Sequence, residues 1–300
     1  MKKKTYLFAL MTMALTLGSC SDNENGIGGE TSKYITVSTS IGNMTRVATD
    51  AKGGQTFEEG DEISVYAWTG DATVAPETRE RVVNNAINKL TNGSWISTPQ
   101  MLWKNNRDKH YFIGVYPISA ISDLSAGEYT FDVTKQTESD LLVAINKDGL
   151  SYNVDEQQPV PLTFTHVMAK LVVNLTYKNQ WGGIPTVEKV VVGNAAKEAT
   201  INYLTKVVTP STTAKEDFSL PEITENTKYV SVIIPQEEVK QLTIVIGGKN
   251  FVYDNGTPFK LESGKITTVN LEVGRDEIKL GDVKITDWEN GSTFSGEAIN

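Results

Sequence analysis

Beyond residue 34 the apolar residues of this chain recur at every second position, a spacing that suits strands and very little else. Leu171, Val173, Leu175 and Tyr177 alternate with Val172, Asn174 and Thr176, and Val230, Val232 and Ile234 repeat the pattern. Leu242, Ile244 and Ile246 do so again, as do Val269, Leu271 and Val273 around Asn270 and Glu272. Successive side chains of a strand point to opposite faces, so such alternation buries one face and wets the other. Most of these residues are β-branched or aromatic, types that pack well on a pleated surface. The same reading predicts strands over Tyr34–Ile41, Ile63–Trp68, Tyr111–Tyr116, Leu141–Ile145, Val187–Val192 and Val283–Trp288. Turn pairs such as Asn92-Gly93, Asp148-Gly149, Gly182-Gly183, Gly247-Gly248 and Asn255-Gly256 separate them. One stretch, Thr78 to Leu90, is expected to be helical, because Val82, Val83, Ala86, Ile87 and Leu90 fit a helix face, although an extended run is the alternative. Many short strands between turns predict an all-β protein of sandwich type. The ~280 residues beyond the N-terminal leader are comfortable for two domains. A polar, proline-containing run (EQQPVP, 156–161) divides them, giving two tandem β-sandwich domains over 34–158 and 159–300.

The first residues describe export. Met1-Lys2-Lys3-Lys4 is basic, Tyr6 to Leu17 is mostly apolar, and small residues follow, which is the layout of a signal peptide over 1–19. The apolar run is shorter than the roughly 20 residues of a membrane-spanning helix. Leu17-Gly18-Ser19-Cys20 resembles the lipobox of bacterial lipoproteins, whose cysteine is acylated and becomes the new N-terminus. Cys20 is the single cysteine of the chain. Exported proteins use cysteines in pairs, so a lone one calls for another role, and lipidation supplies it. Acyl chains on Cys20 would anchor the protein in a membrane, here the outer membrane. Residues 20–33 are rich in Gly, Asn, Ser and acidic side chains and are expected to be a flexible tether. Within them Asp22-Asn23-Glu24 resembles the surface-export signal of Bacteroides-group lipoproteins. The chain has 28 basic and 37 acidic residues, and loss of Lys2, Lys3 and Lys4 leaves 25 against 37, a net charge of −12. Such a surface repels phosphate backbones, which argues against a nucleic-acid partner.

Catalytic constellations are not evident. The two histidines, His110 and His166, stand far apart in sequence. His166 lies within an apolar strand and is expected to be structural, whereas His110 follows the polar run 104–109 and is expected to be solvated. With Cys20 lipidated no thiol is left as a nucleophile or zinc ligand. Glu58, Glu59, Asp61 and Glu62 lack the alternating ligand spacing of a calcium loop, so a turn at Gly60 is expected and no metal or cofactor. Trp68, Trp95, Trp103 and Trp181 are candidates for a sugar-stacking face, but tryptophans in sandwiches are more often core.

Four segments together resemble the fimbrillin family, whose members build the type V pili of Bacteroides-group bacteria. They are the lipoprotein start, Thr45-Arg46 followed by Phe57–Ala67 (FEEGDEISVYA), Phe164–Leu171 (FTHVMAKL), and Ile285–Gly291 (ITDWENG). The resemblance spans Cys20 to about Gly291 and implies two transthyretin-like β-sandwiches. It also implies assembly in which lipoprotein export machinery delivers the chain to the surface. A trypsin-like surface protease then cuts after an N-terminal arginine, and a strand from another fimbrial subunit replaces the strand that is lost. The residues agree. Arg46 is the sole basic residue between Lys33 and Lys52, and it follows a strand in which Ile35, Val37 and Ile41 share one face. The tail carries Ile278, Leu280, Val283 and Ile285, whose burial would supply about 6 to 12 kcal/mol before ordering costs, enough for a donor strand. The tail serves equally as the last strand of its own domain. The expected function is therefore a structural subunit of surface fimbriae, a homo- or hetero-polymer without an active site. The alternative is a lipid-anchored adhesin or fimbrial tip that binds glycan or host protein.

Overall fold

The computed structural model describes residues 33–42, 56–136, 138–153, 158–254 and 258–288. Strands dominate them. One sheet of seven strands runs in the order Val37–Ile41, Val160–His166, Leu142–Leu150, His110–Tyr116, Glu62–Thr69, Arg81–Thr91 and Ser94–Thr98. A five-stranded sheet runs Glu222–Thr224, Lys228–Ile233, Ala169–Tyr177, Lys265–Val273, Ile278–Asp287. A four-stranded sheet runs Lys215–Ser219, Val187–Ala196, Leu242–Ile246, Lys249–Tyr253. Small sheets of three and two strands complete the set.

Two apolar cores result, and the seven-stranded sheet walls both. Ile63, Val65, Ala67, Phe112, Leu142 and Ala144 point into a smaller core with Ile35, Val37, Met101, Leu162 and Phe164. Their neighbours Tyr66, Trp68, Ile113, Val115 and Val143 point the other way. They join a larger core lined by the five-stranded sheet (Leu171, Val173, Val269, Leu271) and the four-stranded one (Val190, Val192, Leu242, Ile244). The Glu62–Thr69 strand is consequently buried along nearly its whole length. A strand covered on both faces needs no polar alternation, which is why EISVYAWT reads almost continuously apolar.

One expectation changes. The stretch Thr78–Leu90 is not a helix: a single 3-10 turn at Thr78–Glu80 leads into the Arg81–Thr91 strand. Asn85 adopts φ +58°, and the register with Glu62–Thr69 shifts between the Val65–Ala86 and Ala67–Val83 pairs. This bulge stretches the inward spacing from two residues to three, from Val83 to Ala86, and so imitates a helical period. Nor does hydrogen bonding break after residue 158. The next strand, Val160–His166, pairs with Leu142–Leu150, and Gly127–Thr130 reaches forward to pair with Glu198–Asn202.

Candidate functional site

The segment 33–42 lies in a slot between the Val160–His166 strand, beside which its second half forms the sheet's edge, and the segment 101–103 that follows the strand at the sheet's other edge. Val37–Ile41 pairs in parallel with Val160–Phe164 on one side. Val160 N donates to Thr36 O (2.8 Å), and Gly42 N donates to Phe164 O (2.7 Å). On the other side Ile35 N donates to Met101 O (2.9 Å) and Trp103 N to Lys33 O (3.1 Å), around a bridge between Tyr34 and Leu102. Trp95, on the opposite edge strand, donates its indole N–H to Thr39 Oγ1 (3.0 Å). The segment thus acts as a wedge, its second half bonded to one edge of the sheet and its first half to the 101–103 segment that follows the strand at the other edge.

Alternation decides which side chains fill the slot. Ile35 and Val37 are 1% and 6% exposed, and Ile41 packs half-buried against the same core. Thr36 and Ser38 face solvent. Burying the two aliphatic chains contributes about 1.5 to 3 kcal/mol each. Where the chain resumes beyond Gly42, Phe57 plugs the end of the slot edge-on, its ring centroid 5.3 Å from Trp95, 5.4 Å from Tyr116 and 5.1 Å from Phe164. Ile41 and Phe57 therefore fix the chain in one core on both sides of residues 43–55. Arg46 lies among those residues, and both it and Cys20 lie outside the described residues.

The sequence placed Ile35, Val37 and Ile41 on one face; it assigned no part in this slot to Thr39, to Trp95, named there only as a candidate for sugar stacking, or to Phe57, named there only within the family motif. An apolar residue just before an acidic turn is a usable sign for Phe57, but nothing local marks the partner of Thr39, 56 positions away.

The tail strand Ile278–Asp287 lies antiparallel on Lys265–Val273, in its own chain's sheet and at the sheet's edge. Gly281 is an extra residue opposite the Asn270–Leu271 step. That bulge brings Ile278, Leu280, Val283 and Ile285 to one face, opposite the buried Val273, Leu271, Val269 and Thr267. The first three are half-buried and Ile285 is 39% exposed.

Other candidates resolve into structure. His110 is wholly buried, contrary to expectation. Its Nδ1–H donates to Asp108 O (3.0 Å), its Nε2 accepts Lys104 N–H (3.2 Å), and Trp103 packs edge-on against it. The polar run before it is a turn that satisfies itself, with Asn105 Oδ1 accepting from Arg107 N and Asp108 N, and it delivers His110 inward. Burial holds this imidazole's pKa below its ordinary value. His166 is buried with Nδ1 2.9 Å from Asp140 Oδ1. Gly60 does turn the acidic run, at φ +97°. Asp61 accepts from Glu58 N, Glu59 from Asn92 N, and Glu62 from Lys89. Tyr116 OH donates to Asp61, and burial together with that carboxylate pushes its pKa up to about 12. Trp68 is buried, while Trp95, Trp103 and Trp181 are half-buried in core contacts.

Fold and slot together define a multi-sheet β protein in which the segment 33–42 forms a sheet edge and covers an apolar core. The chain belongs to the fimbrillin-like family, which it matches over residues 45–288. Membership makes it a chain of a fimbrial-subunit family and hence of the cell surface. It is 26% identical over 326 aligned positions to a candidate fimbrium subunit of Bacteroides uniformis, covering 99% of this chain and all of that one. The fold is shared with the crystal structure of a candidate cell adhesion protein from Bacteroides uniformis (TM-score 0.64, 19% identity, 86% of this chain and 100% of that one). It is shared too with one from Bacteroides ovatus (TM-score 0.63, 18% identity, 86% and 98%).

Proposed function

We propose that this chain is the lipid-anchored precursor of a fimbrial subunit that polymerises by exchanging strands. Cys20 is acylated and 20–33 tether the folded body, two β-sandwich modules sharing a sheet wall, to the outer membrane after lipoprotein export. A trypsin-like surface protease cuts after Arg46 and removes the lipid together with the 33–42 wedge. The observation that carries the reading is the wedge itself. It is bonded to a sheet edge on one side and to the 101–103 segment on the other, buries Ile35 and Val37, and leads directly into the segment that holds Arg46. Its departure would uncover an apolar slot with unpaired backbone groups along Val160–Phe164 and at Met101 and Trp103, which another extended strand can fill. The tail of a second subunit, of this chain or of a related one, is the proposed donor, presenting Ile278, Leu280, Val283 and Ile285.

The alternative, an adhesin or fimbrial tip that keeps its wedge, draws on the tail being paired in its own sheet. Cleavage tests both. Purified protein cut after Arg46 should convert to a ladder of oligomers on size-exclusion chromatography with light scattering, while an Arg46→Ala chain treated identically stays monomeric. Cut protein that remains monomeric at high concentration would overturn the polymerising role.

A further inference from the structure

Two of the segments singled out in the sequence, FTHVMAKL and ITDWENG, meet in space. His166 ends the strand Val160–His166, Lys170 lies in the adjoining strand Ala169–Tyr177, and Trp288 directly follows the tail strand. The Trp288 indole lies flat on the His166 imidazole, with ring centroids 3.9 Å apart and planes within 4°. Lys170 Nζ sits 5.3 Å from the centre of the indole ring. Trp288 N donates to Gly264 O (3.1 Å), fixing the backbone at the same point. The shelf beneath the indole is preorganised: His166 and Lys170 are 7% and 5% exposed, and Asp140 orients the imidazole through Nδ1. An ammonium largely stripped of water interacts more strongly with an aromatic face than an exposed one does.

Beyond its ladder to Lys265–Val273 and the half-buried Ile278, Leu280 and Val283, the described residues give the tail strand few anchors. None of its residues is fully buried, its outer edge faces no further strand in the five-stranded sheet, and the Gly281 bulge interrupts its ladder. Its ion pair between Asp287 and Lys265 is exposed, and pairs of that kind contribute little. A strand held in this way peels from an end, and Trp288 stands directly after its last residue.

We propose that His166 and Lys170 form a clamp for Trp288, and that release of this one side chain is the step that frees the tail strand from its own sheet. The clamp regulates the donor segment of the proposed function and rests on that reading for its biological purpose, though not for its physics. His166 and Lys170 act as positioning residues.

Hydrogen exchange of the full chain, read by mass spectrometry, tests it. In Trp288→Ala the amides of 278–287 should exchange about tenfold faster or more, the combined loss of an aromatic stack and a cation–π contact. Protection in Ala169–Tyr177 should be unchanged. Trp288→Phe should fall between, and Lys170→Met should raise tail exchange without touching the tail. Unchanged tail exchange in Trp288→Ala, or an equal rise in 169–177, would overturn the clamp. Assembly after cleavage at Arg46 is scored separately. Faster exchange without assembly sinks the donor reading and leaves the clamp, whereas assembly with unchanged exchange does the reverse.

Discussion

Replacing Ile35 by alanine should cost about 2 to 5 kcal/mol of folding stability, the range for truncating a large aliphatic side chain in a packed core. The estimate follows from the site. Ile35 is 1% exposed, and Met101, 2% exposed, belongs to the same core, so the removed atoms leave a void that rigid sheet edges cannot collapse. Alanine keeps the Ile35 N–H to Met101 O bond, so the change reports on the slot rather than on the ladder. Tyr34 is the internal control. It sits one residue away in the same segment, 54% exposed, and Tyr34→Ala should cost about 1 kcal/mol or less. Urea denaturation of both variants and the parent, with slopes compared, supplies the numbers. If Ile35→Ala lies within about 0.5 kcal/mol of the parent, or Tyr34→Ala costs as much as Ile35→Ala, the wedge does not hold the slot closed and the reasoning fails.

Three further outcomes are expected. His110, its pKa held down by burial, contributes stability that is complete above pH 6.5 and lost as pH falls through its lowered folded value, because a second proton would set Nε2–H against Lys104 N–H; His110→Gln should flatten that acid limb in thermal melts, and an unchanged limb would refute the assignment. Tyr203, buried and pushed up to about 12, contributes stability present below pH 10 and lost as pH rises through about 12; absorbance titration should find several tyrosinates missing at pH 11 and restored on unfolding, and Tyr203→Phe should reduce the restored number by one, whereas an unchanged number would refute the assignment. Gly114→Ala places a Cβ 2.6 Å from Phe164 Cζ in the slot's core and should cost about 1 to 3 kcal/mol by the same denaturation assay, with a neutral result contradicting the packing described.

Much of the fold was legible because alternation and burial have the same period. Leu171, Val173 and Leu175 were read as one buried face, and that is what they form. Alternation fails where the structure adds a residue or covers both faces. Asn85 made a bulged strand look helical, and the doubly covered Glu62–Thr69 strand alternates in destination, not in polarity. The wedge was half legible. Its inward residues were visible, but its parallel partner Val160–Phe164 was not, since such a pair is joined through more than a hundred intervening residues that carry no local trace of it. His110 was misjudged because a self-satisfied turn and a solvated loop have the same composition. The stack of Trp288 on His166 was invisible for a similar reason: each residue stood in a noted segment, and only the folded sheets bring the two together.

The wedge can be challenged most directly with its own sequence. Protein cut after Arg46 should be incubated with a synthetic peptide spanning residues 33–42, and oligomer growth followed by light scattering. If a vacated slot drives assembly, the peptide should bind and suppress growth in proportion to its concentration, and a peptide carrying Ile35→Asp and Val37→Asp should do neither. Oligomers that grow at the same rate with the native peptide present would contradict the claim that this segment and an incoming strand compete for one site.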